Sequence, residues 1–465
     1  MEESLAAGVA PDRVALVTFT RAAAQVARER ACRRFNLEEK DMPFIRTIHS
    51  LCFHQLALRR DDVLTEENLS ELAEVTGEMM THVNPDGDAP ATRRNADALL
   101  TVDHYYRTTM RSLRSAWEDH GGELDWFRLK RFCLAYQMYK ADLGLMDFTD
   151  MLTKYLTSAP EPVPVEIAII DEGQDLTPLQ WAVVHKAFRD AREMYVAGDD
   201  LQSIHRWAGA AEDYFLSLPF EREVLPLSHR LPRAIFDFSE AIGQRVSHRY
   251  EKTWDSAGRA GQVDWVPTPE EVDLSSGTWL LLARTNAQLK PLVQLAREQG
   301  VVYRQRGMLS VDVEHVMAIQ AYEALRAGKQ VSGTDADRAL RAAGIRMTNL
   351  EETRSYTATE LRFETMPIWH DALVRIPLDM REYYLACLRR GESLTRPPRV
   401  SIETIHGSKG AEAERVLLTT DMTYRTQRGY ELDPDSEHRV FYVGATRASE
   451  QLTLVAPQTA YGYPI

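Results

Sequence analysis

The sequence predicts an α/β protein built on parallel sheets, and three stretches carry that prediction. The first is 165–175, where the β-branched run Ile167 to Ile170 is followed at once by Asp171 and Glu172. Such a run reads as a strand buried on both faces. In parallel α/β sheets ligands bind outside the carboxyl ends of the strands, so two carboxylates there can face a cation and a water. Taken alone, an Asp-Glu pair after a strand is also an ordinary polar turn. The second stretch is 192–210, a short apolar run leading to Gly198-Asp199-Asp200, Gln202 and Trp207. The third is 400–412, a strand over 400–405 followed by His406-Gly407-Ser408-Lys409-Gly410, whose small residues let backbone approach a ligand.

The remaining elements follow in order. Residues 14–20 read as a buried strand, Thr20 as an N-cap and 21–31 as a helix. The block 61–158 is helical in pattern, with helices over 65–75, 95–117 and 126–143 and a loop over 82–94. An aromatic stripe, Phe127, Phe132, Tyr136 and Tyr139, reads as packing. Pro160, Pro162 and Pro164 stiffen the return into the 165–175 strand, and a helix follows over 179–188. Strands are expected over 262–266, 280–286, 416–418 and 452–456. Residues 310–399 are mostly helical with a break over 328–333, and Trp369, Tyr383 and Tyr384 belong to a core.

At 465 residues the chain exceeds one ordinary core, which predicts two to four domains. No run of 18 uncharged apolar residues occurs, so no transmembrane helix and no membrane partner are expected. The N-terminus carries Glu2 and Glu3 and no signal-peptide core. Cys32, Cys52, Cys133 and Cys387 are scattered without metal-ligand spacing, which fits a reducing cytoplasm. A net charge of −14 argues against salt-driven coating of nucleic acid and leaves room for a local groove that stacks bases on aromatics.

Together with 438–449, His-Arg-Val-Phe-Tyr-Val-Gly-Ala-Thr-Arg-Ala-Ser, the three stretches resemble, in order, motifs II, III, V and VI of superfamily 1 helicases of the UvrD/Rep/PcrA type. Residues 14–20 with the following helix resemble motif Ia, Thr47-Ile48-His49-Ser50 resembles the family's Thr-Phe-His-Ser, and Ser228-His229-Arg230 resembles motif IV. The resemblance implies two RecA-like parallel-sheet core domains of the P-loop NTPase fold with helical insertions. It assigns 1–60 and 160–225 to core domain 1A, 61–159 to helical insert 1B, 226–309 and 400–465 to core domain 2A, and 310–399 to a reduced insert 2B.

The same resemblance implies ATP and Mg²⁺ as ligands, bridged across both core domains, and single-stranded DNA or a single-strand/duplex junction as partner. By it Asp171 holds Mg²⁺, Glu172 activates water, Gln202 senses the γ-phosphate, and Arg230 and Arg447 clamp the transferring phosphoryl group. His229 stacks on adenine and Glu412 bonds the ribose. Phe19, Thr47, His49, His205, Trp207, Thr404 and His406 contact DNA. Several positions depart from the family: Ile48 for Phe, Gly173 for Ala or Tyr, His205 for Tyr, Ala208 for Arg and His229 for Tyr.

One motif is missing from the printed sequence. No Gly-x-x-x-x-Gly-Lys-[Ser/Thr] run occurs, and only thirteen residues precede Val14, ahead of which the family carries its P-loop. Without that loop ATP and Mg²⁺ are expected to bind weakly. Three explanations stay open: a start placed too late, a P-loop on a separate segment, or an inactive remnant. The retained charged residues are costly to keep without ATP, which favours the first two. The expected function is an ATP-driven 3′-to-5′ translocase or helicase on single-stranded DNA. The alternative is a catalytically inactive helicase-like module that binds DNA or protein.

Overall fold

Two separate parallel sheets organise the chain, one in each of two units. The computed structural model describes residues 2–78, 95–120, 124–158, 160–347, 350–363 and 365–465. The 82–94 stretch, expected as a loop, lies outside them.

The first unit comprises Met1–Val224 and Val246–Lys252. Its strands are β1 (Val14–Thr18), β2 (Ile45–Thr47), β3 (Ile167–Ile170) and β4 (Glu193–Val196). They lie in the order β2-β1-β3-β4, all parallel. Parallel pairing requires crossover helices that cover the faces, which is why the central strands are nearly continuous apolar runs. On one face Trp181, Val183 and Val184 of the helix Pro178–Ala187 share a cluster with Val17, Ala168 and Ile170. On the other, Ala31 of the helix Arg21–Phe35 packs with Met42 and Ile45. Thr20 caps that helix as expected, its hydroxyl accepting from Ala23 N at 3.1 Å. The edge strand β4 is covered less well, and Tyr195 is 55% exposed.

Helices fill the segment that joins β2 to β3. The helix expected over 95–117 is two, Asn95–Thr108 and Leu113–His120. The break is local. Met110 takes φ +56°, and Arg111 N reaches back to Tyr106 O at 3.1 Å, a left-handed helix stop. Thr108 and Thr109 hydroxyls also bond to carbonyls one turn back. The aromatic stripe is only partly packed. Phe132 and Tyr136 are buried and stacked, while Phe127 is 77% exposed. Five positions separate Phe127 from Phe132, which turns it about 140° around the helix.

An ion network joins three of these helices. Arg107 pairs with Asp103, Asp147 and Asp150 at 2.7, 2.6 and 3.1 Å. Lys140 pairs with Asp147 at 2.7 Å, and Tyr136 donates to the same carboxylate at 2.9 Å. Burial alone would raise the Asp147 pKa, but the charges of Arg107 and Lys140 hold it well below the ordinary carboxylate value.

The second unit comprises Leu225–Arg245 and Thr253–Ile465. Its strands are β5 (Gln262–Val266), β6 (Trp279–Ala283), β7 (Tyr303–Gln305), β8 (Met308–Leu309), β9 (Val331–Ser332), β10 (Ser355–Tyr356), β11 (Val400–Thr404), β12 (Ala413–Thr419) and β13 (Ala448–Val455). Seven of them form one sheet in the order β5-β13-β12-β6-β11-β7-β8, parallel except for the β7–β8 hairpin. The strand β6 lies at its centre and is buried throughout. The short β9 falls at the break expected over 328–333 and pairs antiparallel with β10. Trp369, Tyr383 and Tyr384 are buried, in one apolar cluster with Trp279, Leu281 and Tyr303. Among the described residues no helix is long and apolar enough to cross a membrane.

The ion network yields a stability prediction. Asp147→Asn leaves Arg107 and Lys140 with Asp150 as their one remaining shared carboxylate among the described residues and should destabilise the helices by about 3–5 kcal/mol. Denaturant unfolding, with hydrogen exchange to locate the loss, measures it; a change below about 1 kcal/mol would show that Asp103 and Asp150 suffice.

Candidate functional site

The first unit gathers its candidate residues at one edge, the carboxyl ends of four parallel strands. Asp171 and Glu172 follow β3, Phe19 follows β1, Thr47 ends β2, and Gly198 and Asp199 follow β4. The two acidic loops are tied together. Glu172 adopts φ +54°, a left-handed conformation that a non-glycine residue holds only when its surroundings impose it. Gln174, fully buried, donates from Nε2 to Glu172 Oε2 at 2.5 Å, and its Oε1 accepts from Asp199 N at 3.1 Å. Gly173 N also donates to Ala197 O at 2.9 Å.

Two glycines make this approach possible. A Cβ on Gly198 would lie 2.4 Å from Gln174 Oε1, and one on Gly173 would lie 2.7 Å from Val196 Cγ1. Gly173, a departure from the family pattern, is therefore required by the packing of this chain.

Asp199 is the second hub. Its Oδ2 accepts from Gln202 Nε2 at 2.8 Å, and its Oδ1 accepts from Leu201 N at 3.2 Å and from Lys252 Nζ. Lys252 lies 3.4 Å from Asp200, whose Oδ2 accepts from Tyr250 N at 3.0 Å. The strap Val246–Lys252 is thereby fastened to the loop that carries Gln202. Burial would raise the Asp199 pKa, but the Lys252 charge outweighs it and holds the pKa below the ordinary value. Burial would likewise lower that of Lys252, and the two aspartates raise it instead. Sequence reasoning missed Lys252 and Gln174. Lys252 stands at the head of a Gly-, Ser- and Pro-rich stretch with no motif around it, and only the fold brings it back to Asp199.

The strand candidates fall into two groups. Phe19 and His205 stack at 5.7 Å with an interplanar angle of 18°, both half-buried. Trp207 lies in the single turn Arg206–Ala208, which Arg206 holds to Glu212 at 3.1 Å; the Trp207 side chain lies outside the described residues. Thr47 and His49 are withdrawn, at 3% and 7% exposure. The Thr47 hydroxyl accepts from Ser50 N at 3.3 Å as the cap of the helix Ile48–Gln55, and His49 meets Phe148 edge-on at 5.5 Å.

In the second unit the candidates lie at opposite edges of the sheet. Thr404 ends β11, its hydroxyl accepting from Gly407 N at 3.1 Å, and His406 follows. Glu412 and Arg447 immediately precede the paired strands β12 and β13, at the amino-terminal edge. The register sets Thr404 beside Ala283 but Arg415 beside Trp279, four residues earlier on β6, which separates the edges by about 13 Å. Arg230 joins the second group, 4.0 Å from Glu412, and its buried Nε makes no hydrogen bond among the described residues. His229 beside it is exposed. Arg447 is 1% exposed and donates to Val443 O at 2.9 Å and Thr446 Oγ1 at 2.8 Å. The Arg284 that follows β6 forms a bidentate pair with Glu437 at 2.8 and 2.6 Å, a structural role.

The donor set suits a hard cation in part. Mg²⁺ takes one or two carboxylates and fills its octahedron with water and phosphate oxygens. Asp171, half-buried at the carboxyl end of β3 with one oxygen accepting from Glu172 N, meets that requirement. A P-loop holds a β-phosphate with a nest of backbone N–H groups and a lysine, and no Gly-x-x-x-x-Gly-Lys-[Ser/Thr] run occurs in the sequence.

Comparison with known proteins shows what the chain is similar to. The family described as UvrD/REP helicase N-terminal domain matches residues 2–221, and the UvrD-like helicase C-terminal domain matches 380–459. The chain is 24% identical over 514 residues to the ATP-dependent DNA helicase UvrD2 of Mycobacterium tuberculosis, covering 96% of this chain and 72% of that protein. It is 22% identical over 355 residues to the ATP-dependent DNA helicase PcrA of Leuconostoc citreum, covering 68% and 47%. A putative ATP-dependent DNA helicase, YjcD of Bacillus subtilis, matches at 22% over 270 residues, covering 54% and 34%.

The Lys252 strap has a defined pH window. Asp199, with its pKa depressed, contributes above the ordinary value of 3.8 and loses that contribution as pH falls below it. Lys252, with its pKa raised, contributes fully below 10.5 and loses its contribution as pH rises beyond it. Hydrogen exchange of the Tyr250 amide should therefore stay slow across neutral pH, after correction for intrinsic rates. Lys252→Met should speed it on the order of a hundredfold, as a buried pair is broken. Unchanged protection in that variant would show that the strap is held elsewhere.

Proposed function

We propose that this chain belongs to the UvrD/PcrA-like superfamily 1 helicases, whose N- and C-terminal domain models it matches over 2–221 and 380–459, and that it is an ATP-driven 3′-to-5′ translocase or helicase on single-stranded DNA that requires a P-loop-bearing segment. The observation that carries the reading is the Gln174 tie, which brings Glu172 and the Asp199–Gln202 loop together at the carboxyl ends of adjacent strands. In this reading Asp171 holds Mg²⁺, Glu172 orients and deprotonates the attacking water, and Gln202 reports on the γ-phosphate. By the same reading Arg230 and Arg447 clamp the phosphoryl oxygens, Glu412 bonds the ribose and His229 stacks on adenine. When bound, Mg²⁺ supplies charge neutralisation at the phosphates. Phe19, His205, Trp207, Thr404 and His406 contact the strand. The stretches 61–159 and 310–399 correspond to inserts 1B and 2B. A cytoplasmic location accords with the scattered free cysteines.

The edge of the first sheet supports a need for a further segment. Strands of parallel sheets are ordinarily covered on both faces, and β4 is not. The segment that brings the P-loop would pair with β4 as another parallel strand. The second reading is an inactive helicase-like binding module. One observation favours it: Arg447 is turned into its own unit and hydrogen-bonded to Val443 O and Thr446.

Three outcomes test these readings. The 465-residue chain should show negligible ATP hydrolysis with DNA present, because its sequence has no Gly-x-x-x-x-Gly-Lys-[Ser/Thr] run to cradle the β-phosphate. Adding a strand, a Gly-x-x-x-x-Gly-Lys-Thr loop and its helix ahead of Val14 should give DNA-stimulated phosphate release, abolished by Glu172→Gln. Glu172-dependent turnover by the chain alone would contradict the requirement, and no turnover by a folded, DNA-binding extended form would favour the inactive module. Separately, Trp207→Ala should weaken single-stranded DNA binding by about 1–3 kcal/mol, read by fluorescence titration. Unchanged affinity would remove the stacking role.

A further inference from the structure

The helix Trp126–Leu143 is apolar on two opposite faces, and the first unit covers one of them. Inward, Leu129, Phe132, Cys133 and Tyr136 share a cluster with Leu69 and Leu72. Outward, Phe127, Leu134 and Met138 stand 77%, 58% and 56% exposed. With Arg131 and Ala141, also exposed, they fall at i, i+4, i+7, i+11 and i+14, which makes one continuous stripe about 21 Å long. The helix under it is well defined at both ends. The Asp125 carboxylate accepts from Arg128 N at 2.7 Å as its cap, and Gly144 at φ +67° ends it. Val75 of the neighbouring helix Glu66–Thr76 widens the patch. It lies one turn before Glu78, which Arg128 holds at 2.7 and 2.5 Å, and it is 77% exposed. Single exposed apolar residues need no cover, but a row of them on a helix whose other side is already core marks an interaction surface.

The stripe is complementary to itself. Its amino-terminal end carries the large Phe127 and two exposed cations, Lys130 and Arg131, while its carboxyl-terminal end carries the small Ala141 and the exposed Asp142. Lys130, Arg131 and Asp142 form no ion pair among the described residues. Glu78 has its pKa lowered first by the hydrogen bond from Arg128 and last by the Arg131 charge, and both its oxygens are taken by Arg128. Eleven positions separate Arg131 from Asp142, which sets them within about 20° of each other round the axis, on one flank of the stripe. When two antiparallel helices are related by a two-fold axis, each flank faces its own copy. With Leu134 on that axis, Phe127 lies opposite Ala141 of the second copy, large against small. Side chains on a helix lean toward its amino terminus, so the long Arg131 side chain comes within reach of Asp142 of the second copy, and symmetry repeats the pair.

We propose that the outer face of the helix Trp126–Leu143 is a self-association surface, on which two copies of this chain pair antiparallel about a two-fold axis through Leu134. One helix face per copy makes a small interface, below about 1,200 Å² in total, of the kind that forms weak and reversible complexes. The dimer therefore assembles in the micromolar range and is not permanent.

Sedimentation velocity of the 465-residue chain across the micromolar range tests this. The chain should pass from monomer to dimer as its concentration rises. Leu134→Glu, which sets two carboxylates together on the axis, should leave a folded monomer with the circular dichroism and unfolding midpoint of the parent. Arg131→Asp and Asp142→Arg should each weaken the dimer on the order of tenfold, because each makes like charges face one another twice. Mixing these two variants should restore the dimer, since one copy then carries two acids, the other two bases, and both cross-pairs form again. A monomer at every concentration would overturn the proposal and leave the stripe to a different partner. A dimer indifferent to Leu134→Glu would overturn it by placing the contact elsewhere. A mixture no tighter than either variant alone would overturn the antiparallel pairing.

Discussion

The buried amide of Gln174 is the constraint on which the first unit's chemistry depends. One side chain supplies a donor to Glu172 and an acceptor to the backbone of Asp199, joining two loops far apart in sequence. An amide can do this because it carries both kinds of group on one rigid plane. Away from water each bond is strengthened electrostatically, and losing either would leave a buried polar group unsatisfied. The tie also accounts for the backbone of Glu172. A left-handed conformation at a non-glycine residue costs roughly 1–3 kcal/mol, and the bond from Gln174 to its carboxylate is part of what holds it. Gly173 and Gly198 complete the arrangement by leaving out the methylene that would separate the loops.

From that tie the order spreads outward. Asp199 is held by Gln174 through its amide, and its carboxylate holds Gln202 and Lys252. Asp200 holds the backbone of Tyr250. The strap Val246–Lys252 lies between two stretches of the second unit in sequence, yet it packs with the first. A change at the carboxyl end of β3 therefore has a continuous path of hydrogen bonds to the segment from which the chain leaves for the second unit. In the second unit, parallel register assigns separate places to two sets of residues. Thr404 and His406 take the carboxyl-terminal edge, and Arg230, Glu412 and Arg447 the opposite one. The two sets are thus kept on different edges by the direction of the strands alone.

Much of this was legible in the sequence because it is local. The runs at 14–18, 167–170 and 452–455 are apolar or β-branched enough to declare strands, and Thr20 declares a cap. Asp171 and Glu172 were visible because they directly follow such a strand. What failed was non-local or depended on a single dihedral. The helix over 95–117 stops because Met110 turns left-handed, and nothing in that residue type signals it. Phe127 looked like its aromatic neighbours, but helical phase turns it to solvent. Thr47 reads as a polar residue at a strand end, and its burial as a cap emerges only with the following helix in place. Lys252 carries no motif; its meaning lies in which distant groups the fold sets beside it.

Hydrogen exchange on a Gln174→Met variant, resolved to short peptides, tests the central claim most directly. Methionine keeps the volume of the amide while removing both bonds. If one amide organises the acidic edge, protection should fall together at 171–176, at 197–204 and in the strap 246–252, while β1 and β6 stay unchanged. Loss confined to 171–176, with the Asp199 loop and the strap as protected as before, would contradict the account.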